Sequence, residues 1–422
     1  MIHILHTADW HLGQSFFGYE RDEEHEAFLT WLIHLISEKE VDALLVSGDI
    51  FDVANPSAAS QRRFFRFLKE ANRRNPHLQI ILTAGNHDSA ARLEAPVPLL
   101  EELNTHIVGI VPKDKTKQVD FASLLLPIWN RELKREAWCM AVPFLRQGDY
   151  PQAEENASEE VDTYLSGVRR MYSRLYEYAV SRKENGEAIL AMGHLHASGA
   201  ELSDDDRSER TIMGGLESLP ASAFPEGIAY VALGHIHKAQ CIAGKEHIRY
   251  SGSPLPMSFS ETNYRHQVVL ISIDDGKLHD IKTIPVPLWA ELKRVPSKPL
   301  PPDEVLQALH GLPEAEDGSD KSRWPYVEVQ VLLHEPAPAF RHKVEEALQH
   351  KAVRLTSILP SYPQEEQDKA EKQPLTFEGL QKLNPLDMLK RSYENKYHTE
   401  ISEDLETLFT DVMREAYENR SN

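Results

Sequence analysis

Cysteine is nearly missing from this chain: Cys139 and Cys241 are the only two in 422 residues. Two thiols cannot build a disulfide framework or a four-thiolate zinc site, and the scarcity fits a reducing compartment. Long apolar runs are missing too; none nears the ~20 residues that a spanning helix needs. The opening Met-Ile-His-Ile-Leu-His has no cationic stretch followed by an apolar one, so it does not read as a secretory signal. A cytoplasmic location, with no membrane partner, is expected. Positive charge is in deficit: 46 Lys and Arg face 66 Asp and Glu, a formal net charge of −20. So negative a surface repels polyanions at long range, and any nucleic-acid role must rest on metals, a small basic patch or a partner chain. The acidity equally suits plain solubility. A Gly-x-x-x-x-Gly-Lys-Ser/Thr loop is lacking as well. Gly244-Lys245-Glu246 has neither the first glycine nor the hydroxyl, which excludes ATP hydrolysis by that route.

Otherwise the composition is that of a globular protein, 41% hydrophobic and 27% charged, and the length suggests two or three domains. One local pattern recurs over the first two-thirds. A short run of Ile, Val and Leu ends abruptly in glycine, carboxylates or histidine. It leads into Asp9-Trp10-His11, Gly48-Asp49-Ile50-Phe51-Asp52, Gly85-Asn86-His87-Asp88, Gly193-His194 and Gly234-His235-Ile236-His237. Such runs read as strands covered on both faces. Residues 22–39, 57–75 (entered through Pro56-Ser57) and 161–183 carry helical spacing. Strands alternating with helices predict an α/β sheet whose ligands gather at the carboxyl ends of the strands.

Beyond His237 the pattern changes. Residues 268–273 and 278–284 around Asp274-Asp275-Gly276 read as a hairpin. A boundary is expected near 286, with a first domain over 1–285. A small α+β domain is expected over 286–360, with strands at 326–333 and 353–358 and a helix at 340–349. Residues 361–422 are expected to form a polar linker and amphipathic tail helices, the linker at 361–374 and the helices over 384–418.

The five strand ends collect Asp9, His11, Asp49, Asn86, His194, His235 and His237. Oxygen and imidazole donors without thiolates suit Mn²⁺, Fe or Zn²⁺. Seven donors are too many for one ion, and with one carboxylate shared they are about enough for two. Two ions ~3.5–4 Å apart can clamp both the attacking and the leaving oxygen of a phosphoryl displacement.

The ordered set resembles the calcineurin-like metallophosphoesterases, and Thr7-Ala8-Asp9-Trp10-His11-Leu12-Gly13, with the layout beyond 286, resembles their SbcD branch of bacterial nuclease subunits. The resemblance implies a β-sandwich flanked by helices, a small capping domain and a helical tail. It implies two divalent ions, with Mn²⁺ preferred. Asp9, His11 and His237 would hold one ion, Asn86, His194 and His235 the other, and Asp49 both. His87 would protonate the leaving oxygen or stabilise transition-state charge, with Asp52 orienting it. It further implies DNA as substrate, double-strand exonuclease and single-strand endonuclease activity, a homodimer through the first helices, and an SMC-like ATPase partner, SbcC, docked on the C-terminal helices.

Plainer readings stand beside these. Asp49 and Asn86 are ordinary turn residues after strands. His235 and His237 form a surface pair if their strand continues. His196 is structural or faces substrate, and Asp88 caps the next helix. The tail helices pack on the small domain. Arg62, Arg63, Arg66, Arg73 and Arg74 form either a phosphate-binding stripe or a solvated face, while Phe64, Phe65 and Phe67 are core. A small-molecule phosphodiesterase or phosphoprotein phosphatase on the same dinuclear site is the alternative enzyme, and a non-catalytic scaffold the alternative class.

Overall fold

The computed structural model describes residues 1–152, 164–201, 218–335 and 337–362, with scattered positions between 386 and 412. Most of the expected linker and tail therefore lies outside the described residues. The chain divides into two compact units, Met1–Glu291 and Leu292–Asn422.

The first unit is built on two six-stranded sheets. One carries, in spatial order, Lys277–Pro285, Gln267–Asp274, Ile2–Thr7, Ala43–Ser47, Gln79–Thr83 and Thr105–Val108. Its last four strands run parallel, and the 267–285 hairpin is added antiparallel to Ile2–Thr7. The other orders Gln240–Ile242, Lys245–Tyr250, Tyr230–Gly234, Ala188–His194, Arg135–Ala141 and Leu125–Trp129. Side chains alternate across a strand, and both faces of the first sheet find a core. Ile2, Ile4, Leu45, Ile81 and Ile271 share one cluster with the second sheet, while Leu5, Leu44, Val46, Ile80 and Leu82 share another with two helices.

Those helices are α1 (Asp22–Glu38) and α2 (Ala58–Arg74). Ser57 caps α2, its hydroxyl accepting the Ser60 N–H at 3.1 Å. Phe28, Leu32 and Ile36 of α1 and Phe64, Phe67 and Leu68 of α2 are buried on the outer face of the first sheet. The helix Tyr164–Arg182 buries Val168, Met171, Tyr172, Leu175 and Ala179 in the cluster of the second sheet. The architecture is thus the expected α/β sandwich flanked by helices. Among the described residues no helix is long and apolar enough to cross a membrane.

The second unit carries a parallel three-stranded sheet, Leu292–Leu300, Tyr326–Leu332 and Arg354–Ser361, with helices Pro302–His310 and Phe340–Leu348. Its core holds Val305, Leu309, Val327, Val329, Val331 and Val344. The strand Leu292–Leu300 holds two of the prolines of 296–302. It runs along a sheet edge, where a residue without an N–H is tolerated.

Candidate metal centre

All five polar clusters sit at carboxyl ends of strands: Ile2–Thr7, Ala43–Ser47 and Gln79–Thr83 of the first sheet, Ala188–His194 and Tyr230–Gly234 of the second. Backbone bonds fix the loops before any side chain acts. The Asp9, His11 and Leu12 N–H groups donate to the carbonyls of Gly48, Asp49 and Ile50 at 3.1, 3.0 and 2.9 Å. The first two strand ends are thereby laced together. Asp9, His11, Asp49 and His235 have φ of +55°, +46°, +50° and +102°. Non-glycine residues rarely adopt that region, and such strain gathers at functional sites. His235 turns the chain immediately, so the strand does not continue and His235 and His237 are not a same-side strand pair.

Asp49 lies at the middle. Its Oδ1 accepts the His87 N–H at 2.9 Å, and its Oδ2 lies 3.2 Å from His194 Nε2 and 3.7 Å from His11 Nε2. Asn86 Oδ1 faces His194 Nε2 at 2.9 Å and His235 Nδ1 at 3.0 Å. Asp9 Oδ1 accepts the His235 N–H at 2.9 Å. The His11 ring packs edge-on against His237 and His87, centroids 5.2 and 4.9 Å apart. The chelating partners of Asp49 can be grouped two ways, His11–Asp49–His87 or Asp9–Asp49–His194, with ligand atoms within 4.8 Å of one another.

Burial governs the charges. It pushes the Asp9 carboxyl up to about 6, against the pull of His194 and His237. Burial acts on Asp49 in the same direction, but His194, His11 and His87 outweigh it and hold that carboxyl well below the usual range. Burial alone would lower His194; Asp49 and Asp9 override it and raise the imidazole to about 9. Asp9 Oδ2 and both ring nitrogens of His11 are buried without a hydrogen bond. Buried polar atoms are ordinarily satisfied, and an oxygen-and-imidazole set with orphaned acceptors suits divalent cations.

His87 Nδ1 faces the main-chain oxygen of Asp52 at 2.8 Å, and the Asp52 carboxylate lies 3.3 Å from His11 Nδ1. Asp88 departs from expectation. The next helix, Ala90–Glu94, begins at Ser89. The buried Asp88 carboxylate instead accepts the N–H groups of Ile50, Phe51 and Gly85 at 3.1, 3.0 and 2.9 Å. It therefore ties the Asp49 loop to the Asn86 loop. Nothing in Asn-His-Asp distinguishes a cap from such a tie, because both put a carboxylate beside backbone N–H groups. The arginine stripe of α2 is largely neutralised: Arg63 pairs with Asp22 at 2.9 Å, Arg66 with Glu26, and Arg73 with Glu70 at 2.8 Å.

With this geometry in place, the comparisons are specific. The calcineurin-like phosphoesterase model matches residues 2–239. A second model, described as the type 5 capsule protein repressor C-terminal domain, matches 289–397. The chain is 35% identical over 364 residues to SbcD of the nuclease SbcCD from Rhodobacter capsulatus, covering 86% of this chain and 88% of that one. The chain belongs to the SbcD family of calcineurin-like phosphoesterases. The Escherichia coli SbcD is 38% identical over 68% of each chain, and the Bacillus subtilis one 31% identical over 78% of this chain and 79% of that one. Family membership supports a phosphoester hydrolase whose fold implies divalent metal ions.

Proposed function

We propose that this chain is a two-metal DNA nuclease, with the seven donors as ligands. Asp9, His11 and His237 hold one ion, Asn86, His194 and His235 the other, and Asp49 is shared. The observation that carries the reading is the meeting of five separate strand ends around one buried, charged Asp49. A bound ion pair would supply Lewis-acid stabilisation and a lowered pKa for a coordinated water. The chain's own residues do the rest. Ser47 and Asn86 orient His194 and His235. Asp88 keeps the two loops in register. His87 is the proton donor to the leaving oxygen, its ring set by the Asp52 main-chain oxygen. The ions are Mn²⁺, and the protein is cytoplasmic.

The DNA substrate is supported by the name of the relatives, which are SbcD chains of the nuclease SbcCD; that name also supports an SMC-like ATPase, SbcC, as partner. Exonuclease action on duplexes and endonuclease action on single strands and hairpins are the expected activities. The domains are taken as 1–285 nuclease, 286–360 capping and 361–422 linker and partner-docking helices. A homodimer would form through α1 and α2. Labelled duplex and hairpin DNA, incubated with Mn²⁺, Mg²⁺ or EDTA and with or without the ATPase, tests the reading. Cleavage that needs Mn²⁺ and is enhanced by the ATPase is expected. Hydrolysis of a chromogenic phosphodiester but of no DNA under any condition would point to a small-molecule phosphodiesterase instead.

A further inference from the structure

Glu261 was not visible as a site residue in the sequence, yet it reaches the centre. It ends the short turn Phe259–Glu261, in the connection between strands Lys245–Tyr250 and Gln267–Asp274, and is fully buried. Its Oε1 lies 3.0 Å from His237 Nδ1, and its Oε2 accepts the Met257 N–H at 2.9 Å. Both oxygens of a buried carboxylate are thus committed, which is what makes its burial tolerable. The segment is clamped from the other side. Buried Arg21 donates to the Pro256 carbonyl at 2.7 Å, and Phe259 packs on Phe16 and Phe17, centroids 5.8 and 5.9 Å apart. His266 Nδ1 closes the base of the segment on the Ser253 carbonyl at 2.9 Å.

Two of the candidate ligand histidines are held differently. His194 Nδ1 meets a neutral carbonyl, that of Ser47, at 2.9 Å. His237 Nδ1 meets a carboxylate. A carboxylate there selects the Nδ1–H tautomer, aims the ring and raises the basicity of Nε2, the nitrogen that coordination then falls to.

We propose that Glu261 is a positioning residue of the metal centre, holding His237 so as to set the affinity of the ion bound by Asp9, His11 and His237 but not of its neighbour. The proposal rests on the two-ion reading above. Mn²⁺ titrations of the full chain, followed by calorimetry and by the electron paramagnetic resonance of free Mn²⁺, test it in Glu261→Gln and Glu261→Ala. The wild type should bind two ions. In Glu261→Gln one of the two should weaken by roughly 10–100-fold while the other stays within about twofold, the range seen when such outer partners are lost. His235→Ala, as control, should weaken the opposite ion. Unchanged affinities in Glu261→Gln, or equal loss at both positions, overturn the proposal. A wild-type chain that takes up no Mn²⁺ overturns the two-ion reading itself. If neither variant folds, the unaltered protein decides. Long-range ¹H–¹⁵N spectra of the Zn²⁺-loaded chain, with His237 assigned by His237→Gln, should show its proton on Nδ1. A proton on Nε2 sinks the idea.

Discussion

Asp49 carries a negative charge with almost no solvent around it, something a carboxylate does only when surrounding donors offset its lost hydration. His194, His11 and the His87 N–H do so here, and the same interaction raises His194 to about 9. A ligand must shed its proton to bind a cation. At pH 7 the ion therefore competes with a proton on His194, and apparent Mn²⁺ affinity should climb from pH 6.5 toward 9, by up to about tenfold per pH unit for one displaced proton. In EDTA the sign reverses. The folded pKa of His194 lies above its ordinary value of 6.5, so its stabilising contribution is complete below 6.5 and is lost as pH rises through about 9. The gap in Tm between Mn²⁺-loaded and EDTA-treated protein should widen over that interval; a constant gap would contradict the assignment. His87 calls for a different readout. As proton donor its replacement in His87→Leu should lower cleavage by about 10²–10⁴-fold while both ions still bind. Loss of an ion in that variant would make His87 a ligand, as the His11–Asp49–His87 grouping allows.

At the scale of elements, the centre depends on strand ends coming closer than side chains normally permit. A Cβ on Gly85 would lie 2.1 Å from Asp49 Oδ1, and one on Gly48 2.2 Å from His194 Nδ1. Gly85→Ala should therefore abolish Mn²⁺ binding in the same titration while the helical circular dichroism of the chain is kept. Such crossing points explain what could be read from the residues alone. The apolar runs before Asp9, Asp49, Asn86, His194 and His235 announced strands because they are covered on both faces, and α1 and α2 announced themselves by spacing and by Ser57. What stayed hidden has no local pattern. The strand Gln240–Ile242 has only 3 residues, Leu292–Leu300 is masked by prolines that an edge tolerates, and Arg135–Ala141 breaks its apolar run with charge. Glu261 and Asp88 act across the fold, on residues 24 and 38 or fewer positions away in sequence, through contacts that no spacing rule encodes. The Arg63 and Arg66 stripe misled in the opposite way: its partners, Asp22 and Glu26, belong to another helix.

For the whole molecule, a net charge of −20 sets the terms on which DNA can be approached. A fold this acidic gains little from long-range attraction, which favours cations in the cleft and help from a partner chain over a broad basic face. The same centre gives the molecule a thermodynamic signature. Every proposed ligand lies in the unit Met1–Glu291, and none in Leu292–Asn422, which has a core of its own. An ion that binds only the folded form stabilises it by about 2.7 kcal/mol when its concentration is 100 times Kd. A unit of this size gains roughly 2 °C in Tm per kcal/mol, so one ion at that level should raise its transition by about 5 °C and two by about 10 °C. Scanning calorimetry of the full chain with Mn²⁺ or EDTA should then move the transition of the larger unit by that amount. The transition of the smaller unit should stay in place. Equal displacement of both transitions, or of neither, would mean that the cations are not held by the strand ends of the sandwich.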